Sequence, residues 1–148
     1  MLLVEHLLPT ARGRLFPVRD ASALVEAAAL MRDHDSDLVV VCDSAGRLAG
    51  VVTKSDVVRQ ISHCAGASCT APIAAVMSRT VTVCRPKDSL QETWSVMKER
   101  HLKNIPILDP EARPIGVLNA RDALEILLEE TRHEEGLLRD YVMCVGYH

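Results

Sequence analysis

Two periodicities alternate along the chain, and each occurs twice. Leu24, Ala27, Ala28 and Met31 recur at three- and four-residue intervals, as do Leu90, Trp94 and Met97, which predicts two helices with one apolar face each. The unbroken run Leu38–Cys42 and its counterpart at 105–108 predict buried strands. Ahead of each helix, residues 15–18 and 81–84 predict short strands, and Ser22 and Asp88 stand where helix caps belong. Residues 43–47 and 109–113 carry Asp, Gly and Pro and predict hairpin loops. Third strands at 48–53 and 115–119 follow, and second helices open near Ser55 and Arg121. The order is β-α-β-β-α, twice. Pro106 has no N–H to give, so its strand is expected at an edge or to end early.

An offset of 66 residues lays 15–62 over 81–128 without a gap. Identities fall at Arg19/Arg85, Leu24/Leu90, Glu26/Glu92, Met31/Met97, Asp43/Asp109, Arg47/Arg113, Gly50/Gly116, Val51/Val117 and Asp56/Asp122. A unit of about 50 residues cannot bury two helices and a small sheet by itself, whereas two copies face to face can. The expected fold is therefore α/β (α+β), with two pseudo-symmetric β-α-β-β-α repeats packed face to face. Residues 1–62 form the first repeat with its N-terminal segment, 63–79 a linker, 80–132 the second repeat and 133–148 a C-terminal extension. Within the linker, 71–77 predicts a short helix with Pro72 in its first turn.

Composition removes several functions. Hydrophobic residues make up 48% of the chain and aromatics only 3%, so the core is aliphatic and the chain folds. A net charge of −3 leaves no basic excess to hold a polyanion, so no nucleic-acid partner is expected. No apolar run reaches the roughly 18 residues of a membrane span, and residues 1–8 lack the marks of an export signal. Five scattered cysteines suit a reducing cytoplasm better than a disulfide framework. His63, Cys64 and Cys69 invite a zinc reading, but with no Cys-x-x-Cys pair and no adjacent fourth ligand they are read as metal-free linker residues. Cys42 and Cys84 read as small buried hydrophobes. No nucleophile elbow, P-loop or paired-histidine motif is present, so the chain is not read as an enzyme.

The third strand of each repeat runs into a seven-residue motif, Gly50-Val51-Val52-Thr53-Lys54-Ser55-Asp56 and Gly116-Val117-Leu118-Asn119-Ala120-Arg121-Asp122. With Asn104-Ile105-Pro106-Ile107-Leu108-Asp109, this resembles the tandem CBS-domain (cystathionine β-synthase domain) pair, or Bateman module, over nearly the whole chain. The resemblance implies a regulatory module sensing adenosine-containing ligands: AMP, ADP or ATP, with S-adenosylmethionine or NAD as further candidates. No other cofactor is implied. Nothing is left over for a regulated enzyme or channel domain, so a stand-alone sensor acting on an unknown partner protein is expected.

Thr53 to Asp56 carry the chemistry. Unpaired amides at a helix start, with the positive end of the helix dipole, suit a phosphate. A Thr hydroxyl adds a hydrogen bond, and an Asp carboxylate accepts from both ribose hydroxyls. The same residues also fit a capping box that needs no ligand. Asn119 departs from the Thr or Ser usual in the family. Lys103 and Arg121 supply positive charge, whereas Asp37, aligned with Lys103, repels anions. The full expected set is Phe16, Thr53, Lys54, Ser55, Asp56, Val83, Lys103, Ile105, Pro106, Asn119, Ala120, Arg121 and Asp122, with the first strands forming the adenine slot. The alternative function is a structural adaptor whose clefts never fill. Leu124, Leu127, Leu128, Leu137 and Leu138, followed by an apolar end with Tyr141 and Tyr147, call for a covering surface from the same chain or a second copy. The family resemblance implies the second copy: a homodimer in which the C-terminal extension joins a contact.

Overall fold

Strand β1 (Pro17–Arg19) runs parallel to β2 (Leu38–Cys42), which pairs antiparallel with β3 (Leu48–Thr53). Helix α2 (Leu24–His34) connects β1 to β2, and α3 (Lys54–Ser62) leaves the end of β3. These follow an N-terminal 3-10 turn (Val4–Leu7) and a short helix α1 (Leu8–Arg12). The second half contains α4 (Ile73–Val76), α5 (Leu90–Glu99), the antiparallel pair β4 (Asn104–Leu108) and β5 (Pro114–Asn119), and the long α6 (Ala120–Gly146). The computed structural model describes residues 1–62 and 71–146, giving only the backbone for Glu135 and from Leu137 onward. His63, Cys64 and Cys69, and the side chains of Leu137, Leu138 and the tyrosines, lie outside the described residues.

Core packing shows why two repeats are needed. Strand β2 is buried at all 5 positions, as an unbroken apolar run must be. Leu38, Val40, Cys42 and Val51 of the first repeat form one cluster with Val117 of the second, so the two sheets share an interface. Each outer face is closed by a segment from elsewhere in the chain. Val4, Leu7 and Ala11 pack with Leu90, Met97 and Ile107, placing the N-terminal turn on the second repeat. Ile73 and Met77 pack with Leu24, Met31 and Val52, placing α4 on the first. Both motif glycines lie under these segments: a Cβ at Gly50 would stand 2.5 Å from the Ser78 carbonyl oxygen, and one at Gly116 would stand 3.0 Å from the Ala11 methyl.

Several local elements differ from the pattern reading. The strand expected at 15–18 starts at Pro17, because the Leu15 amide donates to the Arg12 carbonyl in the turn that ends α1. The strand expected at 81–84 reduces to a single parallel bridge from Cys84 to Ile107. Caps fall one residue later than expected, on Ala23 and Ser89. The Ser89 hydroxyl accepts from the Glu92 amide, while the Asp88 carboxylate is occupied by the Arg85 amide in the preceding turn. Both hairpin loops form alike: Asp43 accepts from the Ala45 and Arg47 amides, and Asp109 from those of Glu111 and Arg113.

Candidate functional site

The end of β3 and the start of α3 form one wall of an open cleft of about 620 Å³ between the repeats. Thr53, Lys54, Ser55 and Asp56 face Lys103, Ile105 and Pro106 across it, with the stretch from Ser78 through Thr80 to Thr82 along one side. Leu38, Val51, Val81 and Ile105 supply apolar walls, so the cleft combines an apolar slot with a polar end.

At the helix start the capping box is formed. The Asp56 amide donates to the Thr53 hydroxyl at 3.3 Å, and the Thr53 amide donates to Asp56 Oδ2 at 3.0 Å. Its other oxygen, Oδ1, meets Arg59 at 3.5 Å, on a residue that is mostly exposed. The box uses one carboxylate oxygen, and the partner of the other is an exposed arginine that a ligand would have to displace. Lys54 sits 3.2 Å from Asp37 and 3.8 Å from Asp35, which neutralises the acid expected to repel anions. Lys103 has no ion-pair partner among the described residues, so its charge is available to the cleft.

The equivalent cleft of the second repeat is nearly closed, at about 130 Å³. Phe16 and Asn119 line this cavity rather than the open one, and Phe16 stacks on His34 with ring centroids 4.1 Å apart. Arg14 grips Asp122 with both arms of its guanidinium, Nε to Oδ2 at 2.6 Å and Nη2 to Oδ1 at 3.0 Å. Asn119 Oδ1 accepts from the amides of both Arg121 and Asp122, whereas Thr53 accepts only from Asp56. The Ser55 amide, which matches that of Arg121, keeps no such side-chain acceptor among the described residues. Ala120 and Arg121 line neither cavity.

Val83 also lies outside both cavities, displaced from the adenine slot by Val81 and Thr82. Since 81–83 is not zipped into a strand, Val81 and Thr82 rather than Val83 line the cleft. Thr80, Thr82 and His101 were not picked out from the sequence. The 66-residue offset could have found Thr82, because it pairs with the candidate Phe16, whereas Thr80 and His101 pair with Arg14 and Asp35, which carry no motif signal. Among the described residues no three His, Cys, Asp or Glu side chains gather as a metal site, and no helix is long and apolar enough to cross a membrane.

A two-fold repeat with interfacial clefts at paired helix starts defines a tandem domain pair. The CBS-domain profile matches residues 14–63 and again 73–129, and the chain belongs to this family. Hypoxic response protein 1 of Mycobacterium tuberculosis is 28% identical over 113 residues, covering 76% of this chain and 78% of that protein. Homoserine O-acetyltransferase of Methanohalophilus mahii is 26% identical over 103 residues, 70% of this chain but only 20% of that enzyme's length. Among solved structures, CBSX2 in complex with AMP aligns with a TM-score of 0.75 at 18% identity, covering 88% of this chain and 99% of that one. The CBS domain pair of MJ0100 in complex with 5'-methylthioadenosine and S-adenosyl-L-methionine aligns with a TM-score of 0.74 at 17% identity, covering 88% and 98%.

Proposed function

We propose that the protein is a non-catalytic regulatory module that binds one adenosine-containing ligand per chain in the open cleft, and so alters its contacts with a partner protein. One observation carries this reading: a 620 Å³ cleft places apolar walls, the Asp56 carboxylate, the Ser55 amide and Lys103, unpaired among the described residues, around one space. Asp56 accepts from the ribose hydroxyls. Thr53, Ser55 and Lys103 hold the phosphate end. Val81, Ile105 and Pro106 flank the base. Lys54, held between Asp35 and Asp37, leaves Lys103 as the main free cation, which favours a monophosphate over a triphosphate. The AMP bound by CBSX2 and the methylthioadenosine and S-adenosylmethionine bound by MJ0100 support an adenosine-class ligand.

Thermal shift with AMP, ADP, ATP, NAD and S-adenosylmethionine tests the reading. A ligand at 100 times its dissociation constant stabilises by about 2.7 kcal/mol, and AMP is expected to shift the melt most. No shift with any of the five supports the adaptor, a reading favoured by the capping box closing without a ligand.

The same reading includes a homodimer formed through the repeats' second helices. Val58 and Ile61 on α3 are 65% and 63% exposed, and on α6 Leu124, which matches Val58, and Leu128 are exposed as well. The free thiols Cys42 and Cys84 support a reducing, cytoplasmic setting. Light scattering on the full chain and on one ending at Glu135 tests the assembly. A dimer that survives the truncation assigns the contact to the repeats, and a monomeric full chain rejects the dimer.

A further inference from the structure

The two clefts are copies of one design, yet one is open and the other holds about 130 Å³, less than the few hundred Å³ of an ordinary small-molecule pocket. The difference traces to two positions. Thr80 and Thr82 line the open cleft, and 66 residues earlier Arg14 and Phe16 line the closed one. Arg14 donates to both oxygens of Asp122, the very acceptors that a ribose diol would need. Phe16 fills the adjoining space by stacking on His34 at 4.1 Å.

Charge separates the clefts as well. The closed one is lined by Asp35 and Asp37, with Asp122 behind Arg14. Asn119 spends one oxygen on the amides of Arg121 and Asp122, so no first-turn amide is left for a phosphate. If the Arg14 charge is removed, Asp35, Asp37 and Asp122 face a single cation, Lys54, and the net negative charge repels a nucleotide while Asp122 still accepts from a ribose diol.

We propose that Arg14 and Phe16 form a built-in plug that keeps the second cleft shut, and that exchanging them for the threonines of the first cleft opens a site for an uncharged nucleoside rather than a nucleotide. The plug rests on the reading of the first cleft as an adenosine site, and the test separates the two. Adenosine and AMP are titrated calorimetrically into the wild type, R14T and R14T/F16T, each checked by denaturant melt. The expected result is one adenosine or one AMP per wild-type chain, and two adenosines but still one AMP per chain of R14T/F16T. R14T, whose lost side chain is partly exposed, gives the same direction with a weaker second site, and stands in if the double variant does not fold. No more adenosine per chain in the variants than in the wild type, or two in the wild type, overturns the plug. Two AMP per variant chain overturns its charge selectivity. Adenosine bound by the variants alone keeps the plug and removes the first-cleft reading, and no binding by any of the three proteins overturns both.

Discussion

Pro106 occupies the position 66 residues after Val40, and the hydrogen bond that Val40 donates to the Phe16 carbonyl at 3.3 Å has no counterpart there. Without an N–H at 106, nothing in β4 reaches the Thr82 carbonyl, so the expected strand at 81–84 stays unzipped except at Cys84. Val81 and Thr82 line the open cleft instead of completing a sheet.

Pro106→Val should therefore restore the ladder bond. The added amide is expected to be protected from hydrogen exchange, with stability raised by about 1 kcal/mol. AMP affinity is expected to fall as 80–82 is drawn toward β4. An amide at 106 that exchanges at the free rate rejects this account.

The two motif aspartates should respond differently to replacement by alanine. Asp56→Ala removes the acceptor in the open cleft and is expected to weaken AMP binding by about 1–3 kcal/mol. Asp122→Ala removes a carboxylate already held by Arg14 and should leave AMP affinity nearly unchanged. Calorimetric titration decides between them, and equal losses in both would contradict the assignment. Loss of the capping box also destabilises α3 by about 1 kcal/mol, so a melt of each variant comes first.

Ala112 adopts φ +63°, where the first repeat has Gly46 at +81°. A left-handed conformation costs an L-residue about 1–2 kcal/mol, partly offset by the greater unfolded entropy of glycine. Ala112→Gly should stabilise the fold by about 0.5–1 kcal/mol, and Gly46→Ala should destabilise it comparably, although open space surrounds a Cβ there. Urea midpoints measure both, and a destabilised Ala112→Gly variant contradicts the strain.

Burial pushes the Cys84 thiol up to about 12 from an ordinary value of 9.0, with the Asp88 charge adding to the shift, and burial raises Cys42 too. The folded state then holds the Cys84 proton more tightly than the unfolded chain does. Its stabilising contribution is complete below about pH 9 and is lost as pH rises towards 12. Both thiols should resist a thiol reagent in the native protein at pH 8 and react once it is unfolded. Cys84→Ala should flatten the alkaline decline in stability, and an unchanged decline would assign it to other groups.

Local sequence patterns alone encode the repeat, the helices and hairpin strands common to both copies, and the capping turn at the open cleft's helix start. Those features are local: apolar spacing, Asp-led hairpins and a Thr-x-x-Asp turn act within a few residues, so Gly50 to Asp56 could be read directly. Tertiary structure decided which pocket is open. The offset aligned Arg14 with Thr80, but only folding carries Arg14 across 108 residues of chain to Asp122. Likewise, only the packed core brings the N-terminal turn onto the second repeat and α4 onto the first. A side chain's reach depends on what the chain folds against. Two motifs in matching positions therefore became one accessible cleft and one that the protein fills with its own residues.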